Sequence, residues 1–151
     1  MVKPIHVWVD ADASPVVPQL LQLKKELPIT LTLVHSPDHI RRDPPADVEI
    51  VVVERGPDAA DFYIMQHCRR GDIVITDDLG FASMVEAKGA VPLQSNGRQL
   101  RREMLDGLLE MRHAAAEERR AGRRTKGPSK RKKQHNDAFT EGFRCVVNDM
   151  S

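Results

Sequence analysis

The chain has 151 residues, of which 40% are apolar and 30% charged, with a net charge of only +1. That length suits one globular domain able to bury about two-thirds of its unfolded surface. Two cysteines, Cys68 and Cys145, are too few for a disulfide framework and lack zinc-type spacing, and no run of about eighteen uncharged residues occurs, so a reduced, cytoplasmic protein with no membrane partner is expected.

Charge is unevenly distributed. Residues 1–97 carry −5, residues 98–133 carry +8 and residues 134–151 carry −2. The sequence therefore divides into an acidic core over about 1–97 and a helical, basic extension over about 98–151, within a single domain spanning 1–151.

Along the chain, Ile5–Val9 is a short β-branched and aromatic run that stops at Asp10-Ala11-Asp12, and Val17, Leu20, Leu21, Leu23 and Leu27 follow at helical spacing. Ile29–Val34 and Val48–Val53 read as two further strands, joined by the Pro-, Asp- and Arg-rich surface connection 36–46. Asp58–Arg70 reads as a helix stopped by Gly71, with Ala59, Ala60, Phe62, Ile64, Met65 and Cys68 as core residues. Asp72–Thr76 is a strand ending at Asp77-Asp78, Leu79–Lys88 a helix, and Ala90–Leu93 a last strand. Gln99 to about Ala121 is helix-like, Gly122–Lys133 is a basic loop, and Asp137–Val146 forms a helix whose Phe139 and Phe143 dock on the body.

Alternating strands and helices predict an α/β fold with a mostly parallel sheet, because parallel neighbours need crossover connections. Such sheets bind ligands outside the carboxyl ends of their strands, where the winding direction reverses. The acids fall there: Asp10 and Asp12 after the first strand, Asp77 and Asp78 after the fourth, and Asp58 and Asp61 in the first turn of the intervening helix. In the order 3-2-1-4-5 the first and fourth strands are neighbours, so Asp10 and Asp78 would face one crevice. Carboxylates so close repel unless a cation neutralises them, and an all-oxygen ligand set suits Mg²⁺ or Mn²⁺. For any one aspartate, capping a helix is the simpler reading; convergence of several favours a metal site. Asp77 is the weakest member, since strand alternation points it away from Asp78.

Three motifs resemble those of the YaiI/YqxD family, an uncharacterised bacterial group assigned to the PIN-like superfamily. Val9-Asp10-Ala11-Asp12-Ala13-Ser14-Pro15 resembles its VDADACP, Gly56-Pro57-Asp58-Ala59-Ala60-Asp61 its GxDxAD, and Ile75-Thr76-Asp77-Asp78-Leu79-Gly80-Phe81-Ala82 its VTxDxxLA. Lys88-Gly89-Ala90, Asn96-Gly97-Arg98, Met111-Arg112 and Thr125-Lys126-Gly127-Pro128 extend the likeness over most of the chain. The resemblance implies a three-layer PIN-like fold, a superfamily with many Mg²⁺- or Mn²⁺-dependent nucleases. By motif it carries over Asp10, Asp12, Asp58, Asp61 and Asp78 as catalytic acids, with Asp10, Asp58, Asp61 and Asp78 holding metal. Ser14 stands where the family usually has cysteine, so thiol chemistry is not required. Lys126 replaces a glycine, and His135 an aspartate.

The function expected is metal-dependent phosphodiester hydrolysis, on RNA in preference to DNA. Arg98, Arg119, Arg120, Arg123, Arg124, Lys126, Lys130, Arg131, Lys132 and Lys133 would neutralise substrate phosphates that the acidic body repels. Aromatic residues are few and several are core candidates, so the sequence gives poor support for base stacking on an aromatic platform. A non-catalytic metal- or nucleic-acid-binding module is the main alternative. A haloacid-dehalogenase-type phosphatase using Asp10 and Asp12 fits less well, because Ser14 stands where Thr or Val is needed and no catalytic lysine follows a strand. The six histidines show no metal-ligand spacing, and no glycine-rich phosphate loop is present.

Overall fold

The computed structural model describes residues 3–39, 45, 47–122 and 130–151. Five strands, β1 (Ile5–Asp10), β2 (Ile29–His35), β3 (Glu49–Val52), β4 (Ile73–Ile75) and β5 (Val91–Leu93), form one parallel sheet in the order β3-β2-β1-β4-β5. β1 is central, pairing with β2 from Ile5↔Ile29 to Asp10↔Val34 and with β4 from Val7↔Ile73 to Val9↔Ile75.

Alternation along these strands creates two apolar layers. Val7, Val9, Ile73 and Ile75 face α1 (Val17–Leu23), whose Leu20 and Leu23 are buried against them. Trp8 and Val74 face the other way, onto Ile64 of α2 (Ala59–His67) and Phe81 and Val85 of α3 (Leu79–Ala87). α4 (Arg102–Arg120) adds to this second side, with Leu105 packed beside Ala82 and Leu100. The last helix, α5 (Lys133–Met150), returns to the α1 side and buries Phe139, Phe143, Val146 and Val147 there. The result is a three-layer α/β fold with the strand order expected from the sequence.

α5 begins four residues earlier than its apolar pattern suggests, because the His135 Nδ1 accepts the Lys132 backbone N–H at 2.8 Å and closes the first turn. Its approach to the body is tight: a methyl group on Gly142 would overlap the Gly97 carbonyl. Gly97 itself, at φ 86°, turns the chain after β5 and leaves no room for a side chain against the backbone at Ala138.

One core expectation is overturned. Phe62 is 70% exposed. Ala60, Ile64 and Cys68 turn toward the sheet, and a residue two positions from Ala60 and Ile64 lies about 200° around the helix from each, on the solvent side. Within the 36–46 connection the chain forms a short 3₁₀ turn, Pro37–His39; most of the remainder lies outside the described residues. Among the described residues no helix is long and apolar enough to cross a membrane.

Candidate functional site

At the carboxyl edge of β1 and β4, a cleft of about 300 Å³ is lined by Asp10, Asp58, Asp61, Thr76, Asp77 and Asp78, among others. The strand order and the two flanking helices assemble it. Asp10 is the last residue of β1, Asp78 caps α3 just beyond β4, and α2 brings Asp58 and Asp61 over the top.

The four acids are held differently. The Asp10 Oδ1 accepts the backbone N–H groups of Asp12 at 3.2 Å and Ala13 at 3.4 Å, which fixes the turn after β1. Burial raises its pKa above the usual carboxylate range; the two N–H donors offset part of that, while the Asp12 charge adds to it. The Asp78 Oδ1 accepts the Phe81 N–H at 3.1 Å, an N-cap, and Asp78 donates its own N–H to Thr76 Oγ1 at 3.0 Å. In both residues Oδ2 takes no part in these bonds.

Asp58 and Asp61 have no such structural employment. Asp58 precedes α2 with φ 65°, in the left-handed region that a non-glycine residue enters at a cost, and its side chain makes no capping hydrogen bond. Capping therefore explains Asp78 but not Asp58. Among the described residues Asp61 meets neither a hydrogen-bond donor nor a cation. Its pKa is pushed up to about 6, first by burial and then by the carboxylates of Asp10, Asp78 and Asp58. This is the electrostatic mark of convergence on one crevice.

Asp12 and Asp77 turn elsewhere. The Asp12 Oδ2 accepts the Ser36 N–H at 2.7 Å and its Oδ1 lies 3.5 Å from Nδ1 of the buried His35, tying the β1 turn to the end of β2. The Asp12 side chain is absent from the cleft wall; Asp12 bears on Asp10 through its backbone N–H and its charge. Asp77 reaches the rim, but its carboxylate accepts the Ser95 N–H at 2.9 Å and hydroxyl at 2.6 Å.

The donor set of Asp10, Asp58, Asp61 and Asp78 is entirely oxygen, the chemistry that hard divalent cations take. Among the described residues no three His, Cys, Asp or Glu side chains are gathered closely enough to cage an ion. An ion at these oxygens would be held by one or two carboxylates, with water and substrate phosphate completing its shell, and not by a closed all-protein cage.

The basic residues separate by role. Arg98, Arg119, Arg120, Lys130, Lys132 and Lys133 are exposed. Arg131 is partly buried, donating from Nη2 to the Ser95 carbonyl at 2.8 Å and from Nε to Asn136 Oδ1 at 2.6 Å, which joins the start of α5 to the β5 turn. Arg123, Arg124 and Lys126 lie outside the described residues. A basic residue not singled out from the sequence reaches the site instead: Arg112, on α4, has Nη1 3.9 Å from Asp78 Oδ1. Only the Met111-Arg112 pair in the sequence pointed to it.

Beside the acidic cleft, and sharing Asp58, Asp61 and Asp78 with it, a second groove of about 530 Å³ runs between α2 and α3 and is bordered by Phe62, Met84 and Arg112.

A family model described as "Uncharacterized BCR, YaiI/YqxD family" matches residues 8–149. A UPF0178 protein of Enterococcus faecalis is 40% identical over 140 residues, covering 92% of this chain and 95% of the relative. UPF0178 proteins of Oceanobacillus iheyensis and Clostridium acetobutylicum are 39% and 36% identical, over 97% and 95% of this chain and 95% and 97% of their own lengths. No solved structure gives a significant match. With the match running from β1 through α5 and so spanning every acid of the cleft, the chain belongs to the YaiI/YqxD family.

Proposed function

We propose that the protein is a divalent-metal-dependent phosphodiesterase acting on nucleic acid, RNA ahead of DNA. The observation that carries this reading is the meeting of four carboxylates at the switch point of the sheet, in which Asp61 is raised to about 6 by its neighbours and left without a partner in the described protein. An uncompensated negative site of this kind attracts a hard cation.

In this reading Asp10 and Asp78 would hold the ion, water and substrate phosphate would complete its shell, and Asp58 and Asp61 would orient the attacking water. When bound, Mg²⁺ or Mn²⁺ supplies Lewis acidity and lowers the pKa of its water. Asp61, which meets no hydrogen-bond donor among the described residues and lines the same cleft, would accept the proton of that water. Arg112 offers the substrate phosphate a cation at the rim of a cleft that otherwise repels it. The assignment of the YaiI/YqxD family to the PIN-like superfamily, many of whose members are metal-dependent nucleases, supports the same chemistry. A phosphatase that pairs Asp10 with Asp12 is less favoured, because Asp12 faces Ser36 and His35 and is not part of the cleft wall.

The test is incubation of purified protein with single-stranded and structured RNA in Mn²⁺ and in Mg²⁺, beside Asp10→Asn and Asp78→Asn. Metal-dependent cleavage that falls at least about 10²-fold in both variants is expected. No cleavage, or cleavage undiminished in both, would end the proposal and leave a metal- or nucleic-acid-binding module as the better account.

A further inference from the structure

The groove bordered by Phe62, Met84 and Arg112 has no part in the fold. Phe62 is 70% exposed and Met84 55%, while the core residues of the same helices, Ile64, Phe81 and Val85, are buried. Two large apolar side chains on neighbouring helices thus stand at one opening, with Met65 and Phe81 also in its lining. Exposed apolar surface gathered in one concave place, and not scattered singly, marks a binding site.

Three features say what it takes. The groove is continuous with the acidic cleft, since Asp58, Asp61 and Asp78 line both, so one extended molecule can occupy both at once. Arg112 stands in its wall, 3.9 Å from the Asp78 carboxylate, and supplies the cation that a phosphate entering between the two spaces needs. An aromatic face and a thioether make an apolar platform, whose natural partner is a flat ring with polar edges left in water. At about 530 Å³ the groove has room for one nucleobase with its sugar.

We infer that Phe62 and Met84 form a subsite for the unpaired nucleobase next to the scissile phosphate, with Arg112 on the connecting phosphate. The inference rests on the nucleic-acid reading of the carboxylate cleft and adds a requirement to it. A base seated on Phe62 cannot at the same time be paired and stacked in a duplex, so the site selects single-stranded substrate by geometry. Recognition comes from the ring face and is tolerant of which base is presented.

The experiment measures binding apart from cleavage. A dye-labelled eight-nucleotide RNA, single-stranded or as a blunt duplex of the same sequence, is titrated with wild type, Phe62→Ala, Phe62→Trp, Met84→Ala and Asp10→Asn by fluorescence anisotropy in Ca²⁺, and cleavage is followed separately in Mn²⁺. Phe62→Ala is expected to weaken single-strand binding about tenfold, with Phe62→Trp near wild type and duplex binding unaffected. Because Phe62 is exposed, the alanine variant should fold; an unchanged melting temperature checks this. Single-strand affinity equal to wild type in both Phe62→Ala and Met84→Ala overturns the subsite even when Asp10→Asn abolishes cleavage. Absence of both binding and cleavage in the wild type removes the nuclease reading and the subsite together. Self-association of the wild type that Phe62→Ala abolishes would make the groove a protein interface and would also overturn the inference.

Discussion

Arg112 and Asp78 face each other across the rim of the cleft at 3.9 Å, each largely open to solvent, so that α4 brings one positive charge to an otherwise acidic edge. An exposed pair at that distance stabilises the fold by little, about 0–1 kcal/mol. Arg112→Gln should therefore leave the melting temperature within about 2 °C of wild type. Its effect should fall on the substrate. The KM for RNA rises, and the slope of log affinity against log salt falls by about 1, the signature of one lost phosphate contact. Salt-dependent binding isotherms of the two proteins check this; an unchanged slope would confine Arg112 to its pairing with Asp78.

Asp58 is expected to dissociate stability from activity. Its left-handed backbone, φ 65°, is easier for glycine than for aspartate, and no capping bond is lost on substitution. Asp58→Gly should be as stable as wild type or more stable by up to about 1 kcal/mol, while metal-dependent cleavage collapses. Calorimetry beside a cleavage assay measures both. A variant that is less stable and fully active would mean that the carboxylate serves the fold.

The Asp61 carboxyl gives a pH dependence of defined sign. In the folded protein its pKa is about 6, above the ordinary 3.8, so the native state holds the proton more tightly than the unfolded chain. Stability attributable to this group is present below pH 4 and is lost as pH rises from about 4 to 6. Asp61→Asn, which cannot ionise, should gain on wild type across that window by about 1 kcal/mol, after allowance for partial exposure, and then hold a constant advantage of roughly 2–4 °C. The comparison is made without divalent ions. Adding Mg²⁺ should narrow the gap by stabilising the wild type; a gap that widens below pH 4 would contradict the assignment.

Gly142 tests the seam between α5 and the β5 turn. Replacing a helical glycine with alanine ordinarily stabilises by about 1 kcal/mol. Here the new methyl group meets the Gly97 carbonyl, and the sign should reverse to a loss of about 1–3 kcal/mol. Trp8, the one tryptophan, lies in the opposite apolar layer and reports whether unfolding is global. Urea midpoints by Trp8 fluorescence measure the change.

Strand order and the two ends of the sheet were legible in the sequence because short β-branched runs stop at paired aspartates, and in a parallel sheet position along the chain dictates which ends meet. The roles within the cluster were less so. Asp12 and Asp10 are two residues apart and indistinguishable by motif, yet one turns into the cleft and the other to Ser36, a choice made by the turn after β1. Phe62 was misplaced in the core because hydrophobicity was read without its angle on α2, only two residues from Ile64. Arg112 was hidden among the many charges of α4, since only the docking of Leu105 beside Ala82 sets which face of that helix approaches the site. Arg131, grouped with the phosphate-neutralising cations, is instead engaged by Ser95 and Asn136.

The covering of one side of the sheet by α5 has a consequence for the order of assembly during synthesis. All five strands, and every acid of the cleft, leave the ribosome before Phe139, Phe143, Val146 and Val147 do. Until those four arrive, the layer formed by Val7, Val9, Ile73 and Ile75 is only partly covered by α1, and a stalled or truncated nascent chain would present it as an adhesive surface. Such a chain would be a client for chaperones.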